Sequence, residues 1–273
     1  MANGAALIIG AGDATGGAIA KAFARDGLTA CVTRRPRNLS DLDALVGSIE
    51  AEGGKACAFG VDARSEDETI ALFDQVEADI GPIEACVFNI GANVRFPITE
   101  MTSRVYQKVW EMAAFAGFLA GREAARVMSP RGRGTIIFTG ATAAIRGGAG
   151  FSAFAGAKHA LRALAQSMAR ELGPKGIHVA HVVIDGAIDS AFIRDMLPDA
   201  AERRERDGLL IPDEIAKNYV WLHNQHRSAW THELDLRPGA SPGKPYAPSA
   251  GADTAPFGFS TSCLTNSTWL RRR

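Results

Sequence analysis

Ala5-Ala6-Leu7-Ile8-Ile9-Gly10-Ala11-Gly12-Asp13-Ala14-Thr15-Gly16-Gly17 is a short apolar run that enters a glycine-rich turn, and residues 18–25 follow as a helix. Glycines in such a turn let the backbone reverse sharply and approach a pyrophosphate. The helix N-terminus then offers unpaired N–H groups and the positive end of its dipole to phosphate oxygens. A glycine-rich stretch alone carries little weight; one set between a strand and a helix carries much more. Gly10, Gly12, Asp13, Thr15 and Gly16 are the expected cofactor contacts here.

Outward from this turn, strands and helices alternate. Residues 29–33 and 56–61 read as buried strands, with an amphipathic helix over 39–52 ended by Gly53-Gly54. A helix over 66–79, a strand over 85–88, a long helix over 106–128, a strand over 134–139, another long helix over 151–172 and a strand over 177–184 follow. This alternation gives βαβ units and a parallel sheet. The expected fold class is α/β, a Rossmann-type doubly wound parallel sheet forming a single domain over residues 1–238. Residues 187–212 are charged and irregular and read equally as a substrate lid or as surface helix. Residues 212–222 read as a helix and 234–236 as a short last strand. Over residues 239–273 the composition turns to Gly, Pro, Ser, Thr and Ala, as in a disordered tail.

The 273 residues are enough for one large α/β core, and 47% hydrophobic with 22% charged residues is ordinary globular composition. Lys+Arg and Asp+Glu balance at 30 each, so no net field draws the chain to nucleic acid or to a membrane. No apolar run is long enough to span a bilayer, and the first residues, without a basic stretch followed by an apolar one and a cleavage site, are not expected to act as a secretory signal. Cys31, Cys57, Cys86 and Cys263 lack metal-ligand spacing and read as reduced thiols in a cytoplasmic protein. No metal site is expected. His178 and His181 lie on one strand at an odd offset, so they face opposite sides. His159 points away from its neighbour Lys158 and reads as structural.

The end of the second strand selects the nucleotide. Enzymes that bind NAD commonly place an acidic residue there for the ribose hydroxyls, whereas this chain has Thr33-Arg34-Arg35. Guanidinium groups pair with a ribose 2′-phosphate that a carboxylate would repel. NADP(H) is therefore the expected cofactor, with Arg34 and Arg35 as its 2′-phosphate contacts. A solvated basic pair on a loop is the bland alternative.

Over roughly residues 4–237 these motifs, in this order and spacing, resemble the short-chain dehydrogenase/reductase family. Gly10, Ala14 and Gly16 occupy its Gly-x-x-x-Gly-x-Gly positions, with alanine for the middle glycine. The resemblance implies that Asp62 contacts adenine and that Asn89 and Gly91, in Asn89-Ile90-Gly91, line the cofactor. It places Gly186, Ile188 and Ser190 beside the nicotinamide. The family's Asn-Ser-Tyr-Lys tetrad falls on Ala114, Ala141, Phe154 and Lys158, so only the lysine is kept. Phenylalanine has no hydroxyl and cannot pass a proton to a substrate oxygen. The alternative tyrosine position of enoyl-reducing relatives is Phe151, which does not supply one either.

Three residues stand as substitutes. Thr142 can orient a substrate oxygen, Asp185 can supply a proton if an apolar setting raises its pKa, and Lys158 can donate directly or through water. Each also has a plainer reading, as a packed loop hydroxyl, a loop cap and a ribose ligand. Asn93, Arg95 and Arg146 follow strand ends, where ligands bind in such sheets. Two functions compete: an NADP(H)-dependent oxidoreductase acting on an activated alkene, imine or carbonyl with a non-standard proton donor, and a catalytically silent NADP(H)-binding protein or redox sensor. Small residues on the helices from Tyr106 and Phe151 allow close packing, and the resemblance implies a homodimer or homotetramer.

Overall fold

The computed structural model describes residues 4–240. The tail expected over residues 239–273 lies outside the described residues beyond Ala240. Seven parallel strands form one sheet in the order β3-β2-β1-β4-β5-β6-β7. They are β1 (Ala5–Ile9), β2 (Thr29–Arg34), β3 (Lys55–Gly60), β4 (Ile83–Phe88), β5 (Gly134–Thr139), β6 (Ile177–Ile184) and β7 (Glu233–Leu236). The order reverses between β1 and β4, which opens a crevice at the carboxyl ends of those two strands.

The central strands are continuous apolar runs because both of their faces are covered. All five residues of β1 and all eight of β6 are buried. Ala6 and Ile8 of β1 pack with Ile19, Phe23 and Tyr219, from α1 (Thr15–Arg25) and α9 (Pro212–His223). Leu42 and Ile49 of α2 (Leu39–Ala51) join that layer. Ala5, Leu7 and Ile9 pack instead with Phe73, Ala120 and Leu161, from α3 (Glu66–Asp79), α5 (Ala116–Met128) and α6 (Ser152–Leu172). The core is thus two helical layers on one sheet.

The long helix expected over 106–128 is interrupted. α4 (Ser103–Trp110) passes through a π-helical turn, Glu111–Phe115, before α5 begins. The segment left open between lid and surface helix forms two short helices, α7 (Ala191–Met196) and α8 (Ala200–Glu205). Cys31 and Cys86 are free and buried, and burial pushes both thiols up to about 12. Among the described residues no helix is long and apolar enough to cross a membrane.

Candidate functional site

The glycine-rich turn follows β1 directly. Gly10 has φ +95°, a conformation that L side chains resist, and a Cβ there would meet the Asn89 backbone at 3.0 Å. Gly16 allows a close approach: its Cβ would lie 2.4 Å from the Gly10 carbonyl oxygen. Asn89 Nδ2 donates to that same oxygen at 3.1 Å, tying the end of β4 to the turn. A Cβ on Gly12, by contrast, would meet nothing within 4 Å and would project into open space. Thr15, at the first position of α1, is buried and its Oγ1 has no hydrogen-bond partner among the described residues. Gly91 is exposed just beyond β4.

Gly12, Asp13 and Arg34 line a cleft of about 660 Å³ between this turn, α2 and the segment around α7 and α8. Arg34, at the end of β2, donates to Asp41 at 2.9 Å. Arg35 lies outside the lining of that cleft and is half-buried. Burial, reinforced by the nearby Arg37 charge, lowers its guanidinium pKa to about 10. Asp62 is gripped by Arg64, which donates from Nε at 2.9 Å and from Nη2 at 2.5 Å and holds the carboxyl below its ordinary range. Arg34 thus pairs with Asp41 and Arg64 with Asp62 past the ends of β2 and β3, and the charges of Arg34, Arg37, Arg64 and Asp62 all act on Arg35.

At the other end of the crevice Lys158 is 2% exposed and donates from Nζ to the Ile90 carbonyl at 2.9 Å and the Thr139 carbonyl at 2.8 Å. Burial pushes its pKa down to about 7. The Phe154 ring centroid lies 5.9 Å from Nζ. Phe154 packs with Val109, Ala113, Ala114, Ala143 and Ala153, and Ala141 lies against the same cluster. The positions where a hydroxyl and an amide were expected to be missing thus form one apolar wall, and the π-helical turn carries Ala114 into it.

Asp185 is buried at the end of β6, but its setting is not apolar. Thr142 Oγ1 donates to Oδ1 at 2.5 Å, Arg146 Nη2 lies 3.5 Å from the same oxygen, and Arg237 Nε lies 3.3 Å from Oδ2. A hydroxyl and two guanidiniums thus surround the carboxyl group. Arg95 is near Gly150 and its guanidinium carbon is 5.9 Å from the centre of the Phe151 ring.

Past β6, Leu210 N donates to the Ala187 carbonyl and Asp189 N donates to the Leu210 carbonyl, both at 2.8 Å. This bridge turns the amide and carbonyl of Ile188 to the opposite side. Gly186 is exposed, with Pro238 so close that a Cβ would be 2.6 Å from its ring. Ser190 Oγ caps α7, accepting from Ile193 N at 3.3 Å.

The histidines are held structurally. His159 Nδ1 lies 2.8 Å from the Ala155 carbonyl oxygen, four residues back on α6. His178 stacks on Trp230 at 4.9 Å, while His181 bonds Glu233 at 3.0 Å on the other face of β6.

Three side chains at the site escaped the sequence reading: Arg237 on Asp185, and Arg194 and Arg204 on Asp189. The spacing of Asp189 and Arg194 hinted at the second group. Nothing local pointed to Arg237, because only the β6–β7 register (Ile184 against Leu236) brings it to Asp185.

The short chain dehydrogenase model matches residues 4–200. The chain is 49% identical to a crystallised short-chain dehydrogenase from Rhodopseudomonas palustris, with 86% of this chain and 99% of that one covered and a TM-score of 0.74. It is 31% identical over 179 residues to gluconate 5-dehydrogenase of Gluconobacter oxydans, covering 66% of this chain and 69% of the relative. A metagenomic short-chain oxidoreductase solved with NADP shares the fold at 24% identity and a TM-score of 0.71, over 86% of this chain and 96% of the other. A matched model over most of the parallel sheet, joined to a glycine turn, an Asn89 tie and a buried Lys158 in the positions described, means that the chain belongs to the short-chain dehydrogenase/reductase family of oxidoreductases.

Proposed function

We propose that the chain is an NADP(H)-dependent oxidoreductase acting on a small molecule with an activated alkene, imine or carbonyl, and that its proton source is not a phenol. The observation that carries the reading is the cationic end of β2, where Arg34 lines the same cleft as the glycine turn and Arg35 lies behind it with Arg37 and Arg64. The residues fit the group: Gly12 leaves open the space a side chain would fill, and Thr15 Oγ1 is a buried hydroxyl without a partner at the start of α1. Bound NADP(H) supplies or accepts a hydride.

The chain's own residues divide the remaining work. Gly12 and Asp13 line the phosphate side of the cleft, and Arg34 and Arg35 pair with the 2′-phosphate. Asn89 holds the turn in register, and Ile188 offers its backbone to the nicotinamide end. Lys158 has spent two N–H donors on carbonyls, leaving the third for a ribose hydroxyl or a water. With a pKa of about 7 it exists in both protonation states near neutrality and is able to pass a proton. Thr142, anchored to Asp185, orients the substrate. The Phe154 wall excludes water but stabilises no oxyanion.

A second reading, a silent NADP(H)-binding protein, is favoured by that same wall, since Ala114, Ala143 and Phe154 close over the place of the missing groups. Fluorescence titration with NADPH, followed by turnover assays on ketones, enones and imines, separates the two. Turnover on any class supports the first reading; tight binding with no turnover on all of them supports the second. Phe154→Tyr adds a further separation. General acid catalysis is worth roughly 10²–10⁴-fold, so the variant should gain carbonyl reduction if the chain merely lacks an acid. A chain already active by another route should gain nothing or lose activity.

Self-association into a homodimer or homotetramer belongs to this reading. Trp110, Phe115 and Phe118 stack in sequence at 6.0 and 6.1 Å, with Trp110 and Phe118 exposed. Light scattering of the full chain should give at least a dimer, and a monomeric mass would remove this part.

A further inference from the structure

The segment around α7 and α8 carries cations into the dinucleotide cleft. Arg194 and Arg204 line it together with Gly12, Asp13 and Arg34. Both are anchored on one carboxylate: Arg194 Nη1 is 2.8 Å from Asp189 Oδ1 and Arg204 Nε is 3.2 Å from Asp189 Oδ2. The side chains differ sharply in exposure, at 5% for Asp189 against 52% and 58% for the two arginines. A buried acid thus holds two half-exposed guanidiniums at the rim of a cavity whose floor is a glycine turn and a helix N-terminus.

A guanidinium has five N–H donors in a planar fork, and these contacts occupy only Nη1 of one and Nε of the other. The rest are available to a ligand. A lone carboxylate is a minimal counter-ion for two such forks, and a diphosphate, with more oxygens and more charge, matches them better. The cleft lining is otherwise acidic by one charge, with Lys21 and Arg34 beside Asp13, Asp41 and Asp213, and the two arginines on Asp189 bring it to neutrality. The pair on Asp189 is therefore what changes the affinity of the cleft for an anion.

We propose that Arg194 and Arg204 form a diphosphate clamp carried by α7 and α8, parked on Asp189 until the pyrophosphate of the dinucleotide takes them over. This rests on the reading of the cleft as a dinucleotide site and adds to it the residues that close over the phosphates from the far wall.

Fluorescence titration of the full chain with NADPH, and competition by adenosine 2′-monophosphate, which has the 2′-phosphate but no diphosphate, provide the test. Arg194→Ala/Arg204→Ala should weaken NADPH binding by at least about fivefold, the loss of two charge-assisted contacts at a partly exposed site. The same variant should leave adenosine 2′-monophosphate binding unchanged. Asp189→Asn removes the internal competitor and should tighten NADPH binding. The clamp is overturned if the double variant binds NADPH like wild type, if it loses the two ligands equally, or if Asp189→Asn weakens NADPH binding as the arginine variant does. Wild-type protein that binds neither ligand removes the dinucleotide reading itself, whereas an indifferent double variant of a binding protein removes only the clamp.

Discussion

Lys158 is an ammonium in a place that disfavours one. It is 2% exposed, the Ile90 and Thr139 carbonyls to which it donates are neutral, and burial brings its pKa down from the ordinary lysine range to about 7. The unfolded chain keeps the proton up to about pH 10. Between pH 7 and that limit the unfolded state binds more protons than the folded state, so the Lys158 contribution makes stability rise with pH; below pH 7 both states are protonated and the cost is constant. The buried thiols of Cys31 and Cys86, pushed up to about 12, act in the opposite sense above about pH 9. Urea unfolding at pH 7 and pH 9 isolates the lysine. Wild type should gain about 2 kcal/mol over that interval relative to Lys158→Met. Parallel pH dependences in the two proteins would mean that Lys158 stays charged in the fold, and would remove it as a proton carrier near neutrality.

At the scale of elements, β5 ends where both halves of the site meet. The Thr139 carbonyl accepts Lys158 from α6, and its hydroxyl pairs with Tyr219 of α9 at 2.8 Å through the other face of the sheet. Tyr219 is fully buried, so Tyr219→Phe leaves the Thr139 hydroxyl without a partner and should cost about 1–2 kcal/mol in a urea unfolding curve. NADPH affinity should not move, because the deleted group lies on the α9 side. A change in affinity would show that the end of β5 transmits α9 packing to Lys158. Much of this layout was legible: a strand buried on both faces is an unbroken apolar run, and β5 and β6 fall where such runs lie. The π-helical turn was not, because residues 106–128 carry the small, apolar pattern of an ordinary helix and no residue type marks a switch in hydrogen-bond partner. The site divides in the same way. Gly10, Arg34, Asn89, Phe154 and Lys158 follow from spacing along the chain. The partners of Asp185 and Asp189 depend on sheet register and on helices whose placement is a tertiary matter.

Among the described residues, elements from both ends of the fold converge on one crevice. The crevice lies where the strand order reverses, and the charged groups lining it come from β2, α1, α2, α7, α8 and α9. A ligand that fills it touches elements far apart in sequence and should stabilise the entire fold. For a ligand that binds only the native state, stabilisation at a hundredfold excess over Kd is about 2.7 kcal/mol, or roughly 5–10 °C in Tm for a domain of this size. If Arg34 and Arg35 grip a 2′-phosphate, NADPH at one fixed concentration should raise Tm clearly more than NADH. Arg34→Ala/Arg35→Ala should bring the NADPH shift down to the NADH value without altering the NADH shift itself. Raising the ionic strength should erode the NADPH advantage first, since Arg34 is part-exposed and screened by salt. Scanning fluorimetry across the two nucleotides, the two proteins and a salt series reads all of these at once. Equal shifts for NADPH and NADH in the wild type would place the 2′-phosphate away from the arginines, and the selectivity argued from the end of β2 would fall even if the cleft binds a dinucleotide.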